Sequence, residues 1–212
     1  MDYLQPHYED ELLSELAYKK VIGIDEVGRG AWAGPVAVGA YVYHKQTKFL
    51  EGINDSKKLK PYVREGLTRR LKKNDYTVWF AEPREIDESG IGKAIEQLIR
   101  AIIAYYQSPG TYFLIDGQFK SDFVLNSEKI LKGDERFYSI ALASIAAKVK
   151  RDKLMEKLHT NYPEYGFDRH KGYGTKAHRE ALKQHGRLEN IHRVSYKPVK
   201  KLPLSKLGSN QL

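Results

Sequence analysis

Val21-Ile22-Gly23-Ile24-Asp25-Glu26-Val27-Gly28-Arg29-Gly30-Ala31-Trp32-Ala33-Gly34-Pro35 is the stretch on which the reading of this chain turns. An apolar run of strand type, Val21 to Ile24, carries two adjacent acids into a turn holding Gly28, Gly30 and Gly34. A solvated strand end followed by a flexible loop would look the same if nothing else in the chain matched it. The deciding question is whether other strands also end in acids.

Working outward, Val21 to Val27 reads as a first strand and Val36 to Tyr43 as a second, pairing antiparallel across the glycine-rich turn. Before them, residues 8 to 17 space Leu12, Leu13 and Leu16 as on a short amphipathic helix. After them, Pro61 marks the start of a helix running to about Lys73, Tyr76 to Ala81 is a third strand, and the segment opened by Pro83 is helical from Ile91 to Tyr106. The stripe Ile95, Leu98, Ile99, Ile102 and Ile103 gives that last helix its core face. Thr111 to Ile115 is almost wholly apolar, as in a strand buried on both faces, and it ends in Asp116. Ile130-Leu131 suggests a short fifth strand, closed by the turn Lys132-Gly133-Asp134. An alanine-rich helix from about Ser139 to Leu158 implies close packing on the sheet, and residues 176 to 185 form another helix. This order argues an α/β domain on one mixed five-stranded sheet flanked by helices. One domain over residues 1–196 is expected, with a basic, flexible tail over 197–212.

With 41% hydrophobic and 30% charged residues the chain has the balance of a soluble globular protein. Lys and Arg number 36 against 27 acids, and the resulting net charge of +9 favours a polyanionic partner, nucleic acid first. The absence of cysteine excludes disulfides and thiolate zinc sites, and fits a reducing cytoplasm. No window approaches a membrane span and no secretory signal pattern is visible, so neither a membrane nor export is expected. Nothing in the sequence reads as an oligomer interface, and a monomer is the default.

Asp25 with Glu26, Asp116 and Asp134 therefore all lie at predicted strand ends or the turns just after them. Clustered carboxylates raise one another's pKa, and four are tolerated near neutral pH chiefly when divalent cations neutralise them. Hard oxygen donors select Mg²⁺ or Mn²⁺, and two such ions about 4 Å apart activate a water and stabilise the leaving oxygen of a phosphodiester. Asp122 and Asp168 read as surface acids, and Asp152, inside the alanine-rich helix, is set aside in favour of Asp134. Ser56, Lys57 and Lys58 offer either a phosphate seat or a plain solvated loop. The loop 166–175, crowded with cations, glycines and Tyr173, looks like a surface, with His170 and His178 as backbone contacts or surface residues and no histidine at metal-ligand spacing.

Taken in order, Ile24-Asp-Glu-Val-Gly-Arg-Gly30 with Ala33-Gly-Pro35, Asn54-Asp-Ser-Lys-Lys-Leu59, Ile115-Asp-Gly117, Lys132-Gly-Asp134, Ala143 to Asp152, His170-Lys-Gly-Tyr-Gly-Thr175 and His192-Arg-Val-Ser-Tyr196 resemble ribonuclease HII. The resemblance covers about residues 20 to 200. It implies a ribonuclease H-like fold and hydrolysis of RNA annealed to DNA, including incision 5′ of single ribonucleotides in duplex DNA, leaving 3′-hydroxyl and 5′-phosphate ends. By position, Asp25, Glu26, Asp116 and Asp134 would be the catalytic ligands of two Mg²⁺ or Mn²⁺ ions. Gly28, Arg29 and Gly30 would bring backbone to the ribose 2′-hydroxyl, which Tyr173 would also contact, while Lys57 and Lys148 would lie near phosphates. Two departures bear on substrate fit: Trp32 stands where the family more often has an aliphatic residue, and Gly117 is followed by Gln118-Phe119. Arg29 and the short leader differ from ribonuclease HIII, which carries Gly-Lys-Gly and an added N-terminal domain. The alternative of another class is a non-catalytic, basic binder of RNA/DNA hybrids; a metal-independent ribonuclease working through histidines is a third reading.

Overall fold

A computed structural model of the protein describes residues 3–120 and 122–205. Its elements are helix α1 (His7–Ser14), strands β1 (Lys20–Val27) and β2 (Val36–Tyr43), α2 (Pro61–Arg70), β3 (Tyr76–Ala81), α3 (Pro83–Ser89), α4 (Ile91–Tyr106), β4 (Thr111–Asp116), β5 (Ser127–Ile130), α5 (Tyr138–Asn161), α6 (Phe167–His170), α7 (Lys176–His185) and α8 (Lys197–Lys200). The five strands form one mixed sheet in the order β3-β2-β1-β4-β5, with helices flanking it. The chain groups into two compact units, Met1–Val27 with Val38–Trp79 and Glu96–Val149, and Gly28–Ala37 with Phe80–Ile95 and Lys150–Leu212.

In the first unit, β1 and β4 run parallel with Ile24 opposite Ile115, so the next residue of each strand is an acid, Asp25 and Asp116. Asp116 in turn pairs with Ile130 of β5, also parallel, which brings the turn after β5 to the same end of the sheet. The amino-terminal half of α5 lies directly on these strands. Residues 138 to 147 are all essentially buried, as expected of a helix apolar on every side. Contact is close because the sheet offers glycines: a Cβ on Gly23 would come within 2.3 Å of the Ser139 carbonyl carbon, and one on Gly39 within 2.3 Å of the Ala143 oxygen. The α1 helix packs Leu12 and Leu13 into this core, and its buried Glu9 accepts a 2.7 Å hydrogen bond from the Ser139 N–H at the start of α5. Leu16, expected on the same apolar face, falls beyond the end of α1 and is exposed.

Three other expectations shift. The fifth strand lies at Ser127–Ile130, because it is a short edge strand of which only Ile130 is buried. The helical segment after Pro83 begins at once, as α3 with a Glu82–Glu85 capping box, and is divided from α4 by Gly90 at φ +83. The second helix stops at Arg70, where Leu71 turns extended.

The second unit has its own core, in which Met155, Tyr165, Phe167, Leu182, Leu188 and Val199 are buried together. Two expectations change here. Residues 197–205 do not form a loose tail: α8 buries Val199, and Ser205 donates to the Arg187 carbonyl at 2.8 Å. The remainder of the expected tail, 206–212, lies outside the described residues. The 166–175 loop is part core as well as surface, since Phe167 and His170 are buried.

Candidate active site

The acids of the first unit lie where the strand register sends them. Asp25 is 6% exposed and its Oδ1 accepts the Glu26 N–H at 2.7 Å. Asp116 Oδ1 accepts the Gly133 N–H at 2.8 Å, which ties the β5 turn to β4 and sets the buried Asp134 beside it. Gly133 is glycine for a packing reason, because a Cβ there would press to 2.5 Å against Ile140. Burial first, then the charges of Glu26 and Asp116, holds the Asp25 carboxyl well above the usual carboxylate range, with Asp134 adding to the effect and a hydrogen bond from Ser144 opposing it. Asp116 is also raised, mainly by burial, while its bonds to Gly133 and to the Asp25 carboxyl oppose the shift.

Around these acids, Lys57 Nζ lies 3.0 Å from Asp134 Oδ2. Burial works against this ammonium but is outweighed by Asp134, then Asp55 and Asp25, so its pKa lies above that of an ordinary lysine. Ser56 requires a correction. Its hydroxyl is buried and sits 3.0 Å from Ser144 Oγ, so the side chain faces inward rather than toward a phosphate. Ser144 escapes a sequence reading focused on charges, although a lone hydroxyl within a wholly buried helical stretch is a signal. Arg64 holds the 56–59 loop through the Ser56 and Leu59 carbonyls. Lys148 is half-buried on α5. Asp122 is exposed and pairs with Lys129, while Asp168 is half-exposed beside His159. Asp152 lies on α5 in the second unit, next to Arg151.

Among the described residues, no group of three or more histidine or acidic side chains is arranged to hold a metal ion. What fits a divalent cation is the chemistry of the donors: the buried Asp25 and Asp134 with the half-buried Glu26 and Asp116, all hard oxygen. In the arrangement present, the ammonium of Lys57 beside Asp134 carries part of the charge that a cation would supply.

The glycine-rich turn and Tyr173 belong to the second unit, and there they are tied together. Ala31 bridges to Tyr173, and Trp32 N–H donates to the Gly172 carbonyl at 2.8 Å. Two fully buried arginines hold the carbonyls of these segments. Arg151 donates to Pro35, Ala33 and Lys171, and Arg193 to Gly34 and Arg29. Gly28 and Gly30 differ in kind. Gly28 has φ +94, and a Cβ there would lie 2.1 Å from Arg151 Nε, so the fold itself demands glycine. Gly30 has no such conformation and a Cβ there would meet nothing within 4 Å, which leaves its backbone open to close approach from outside.

His170, His178 and His192 are buried, so His170 and His178 are not surface residues; both contact backbone, His170 Nε2 lying 2.6 Å from the Tyr165 carbonyl oxygen. Hydrogen bonds fix their tautomers. Leu188 N–H donates to His192 Nδ1 at 2.9 Å, so His192 Nε2 carries the proton toward His178 Nε2 at 3.2 Å, and His178 Nδ1 donates to the Tyr173 carbonyl at 3.1 Å. Burial, and then the neighbouring imidazoles, depress His178 to about 4 and His192 to about 3.

The family model described as Ribonuclease HII matches residues 22–199. Ribonuclease HII of Chlamydia trachomatis serovar A is 48% identical, over 88% of this chain and 86% of its own, and that of Fusobacterium nucleatum is 42% identical, over 85% and 87%. The crystal structure of ribonuclease H2 from Pyrococcus horikoshii superposes with a TM-score of 0.71 at 28% identity, covering 86% of this chain and 96% of the other. Fold, buried acids and these relatives define the class, a nuclease of the ribonuclease H fold that hydrolyses phosphodiester bonds. The chain belongs to the ribonuclease HII family, whose activity is directed at RNA/DNA hybrids. No helix among the described residues is long and apolar enough to cross a membrane.

Proposed function

We propose that this protein cuts the RNA strand of RNA/DNA hybrids and incises duplex DNA on the 5′ side of single embedded ribonucleotides, leaving 3′-hydroxyl and 5′-phosphate ends. The observation that carries this reading is the buried acid group at the parallel ends of β1 and β4, whose charge is only partly met by the chain. Asp25, Glu26, Asp116 and Asp134 would hold two Mg²⁺ or Mn²⁺ ions. When bound, such ions supply a water activated at neutral pH and charge stabilisation for the departing oxygen. The chain's own residues do the rest. Ser144 orients Asp25, the Gly133 N–H orients Asp116, and Lys57, with Lys148, faces the phosphates once Asp134 turns to a cation. Gly28, Arg29 and Gly30 follow Asp25 and Glu26 directly in the chain and present backbone to the 2′-hydroxyl, with Gly30 open to it. Tyr173, 36% exposed, contacts the same sugar. The protein works as a monomer in the cytoplasm.

The test is duplex DNA with one ribonucleotide, incubated with Mg²⁺ or Mn²⁺, with product ends mapped at single-nucleotide resolution. A cut on the 5′ side of the ribonucleotide, lost on chelation and absent from all-DNA duplex, is expected. Incision that persists in EDTA, or that ignores the ribonucleotide, would refute the reading.

A further inference from the structure

Among the described residues Arg151 and Arg193 are the largest fully buried side chains, and the acid chemistry makes no use of Arg151. It springs from α5 within a run, Lys148 to Asp152, whose charges suggest a solvated helix face. Instead its guanidinium is enclosed, and each of its nitrogens has a carbonyl partner: Nε with Pro35 at 2.8 Å, Nη2 with Ala33 at 3.2 Å and Nη1 with Lys171 at 2.9 Å. The first two carbonyls belong to the segment that continues the Gly28-Arg29-Gly30 turn, and the third lies two residues before Tyr173. The cation also sits under the Tyr173 ring, 5.6 Å from its centroid, and against the Cα of Gly28. One planar group therefore touches the turn, the residues that follow it up to Pro35 and the aromatic ring. A lysine could not replace it, since a single ammonium cannot reach three divergent carbonyls and present a flat face to a ring as well.

We infer that Arg151 is a positioning residue for ribose recognition, setting the Tyr173 ring and the Gly28–Gly30 backbone at a fixed mutual distance so that both meet one 2′-hydroxyl. This rests on the recognition roles proposed above for the turn and Tyr173. The geometry makes Arg151 act through Tyr173, never on the sugar itself, because its own nitrogens are spent on carbonyls. A displacement of either segment by about an ångström can cost a hundredfold in rate.

The experiment is a double-variant cycle on duplex DNA with one ribonucleotide, using wild type, Arg151→Lys, Tyr173→Ala and the pair. Thermal melting and calorimetric Mn²⁺ binding are recorded for each. Arg151→Lys should lose about tenfold to a hundredfold in kcat/KM, keep its Mn²⁺ binding, and lose no further activity when Tyr173→Ala is added. Additive losses, or a folded Arg151→Lys with wild-type kcat/KM, would overturn the inference. Should Arg151→Lys fail to fold, Gly28→Ala reaches the same guanidinium from the turn and must show the same non-additivity with Tyr173→Ala; additivity there counts against it equally. If wild type itself makes no ribonucleotide-dependent cut, it is the proposed function that has failed, and that result is distinct from both.

Discussion

The two compact units bury charge in opposite ways. In the first, Asp25, Asp116 and Asp134 are carboxyl groups drawn together by strand register, and the chain answers them with a hydroxyl, a backbone N–H and one lysine. In the second, Arg151, Arg193 and three histidines are buried, and apart from Arg193 Nη2, which has no partner, the arginine donors are aimed mainly at backbone carbonyls and the histidines at carbonyls or at one another. Buried charge satisfied by the chain's own backbone fixes shape. Buried charge of one sign, short of partners, is poised for an ion from outside.

The sharpest way to break this contrast is Asp25→Asn. The variant should lose incision by about a thousandfold or more, and without divalent ions it should melt higher than wild type, because a repelled carboxyl has become a neutral amide. Equal melting would mean that the acids are as well satisfied as the arginines. Next in size, Gly30→Ala should lose incision by about tenfold to a hundredfold at unchanged melting temperature, whereas Gly28→Ala should lose both incision and stability. If Gly30→Ala incises normally, the open space before that residue is not where the sugar lies.

A smaller effect comes from the histidines. Folded, His178 and His192 titrate at about 4 and about 3, while unfolded histidine titrates at about 6.5. A base depressed in this way stays neutral in the fold while the unfolded chain takes up protons. Stability is therefore full above about pH 6.5 and falls as pH drops toward 4, by up to about 1.4 kcal/mol per pH unit for each group. Urea denaturation at pH 7, 6 and 5 should show that slope, and His178→Gln should flatten it. The smallest effect is expected at the exposed Asp122, where loss of the ion pair with Lys129 should leave both the melting temperature and incision unaltered.

The sheet was readable from sequence where patterning was strong. Val36–Tyr43, Tyr76–Ala81 and Lys176–His185 begin and end as their patterns predict. Register then placed Asp25 beside Asp116, which no local pattern states but which two strands ending in acids suggest. The arginine misses share one physical origin. Arg151 and Arg193 are polar residue types, and a polar residue reads as solvent-facing until the carbonyls that receive it are located, and those come from distant parts of the chain. Ser56 was misread for the same reason, its partner Ser144 lying 88 residues away. The end of the chain looked loose because Lys and Pro dominate its composition, yet one valine anchors α8.

Gly23 and Gly39 have a consequence for how such an enzyme can vary. Each is occupied, where a methyl would stand, by the backbone of α5, the helix that carries Ser144 and Lys148 over the strand carrying Asp25. The clearance between hydroxyl and carboxyl is thus gauged by two missing side chains on the sheet. A mutation to alanine at either position would act as a shim, lifting the helix and retuning the acids without altering any residue among them.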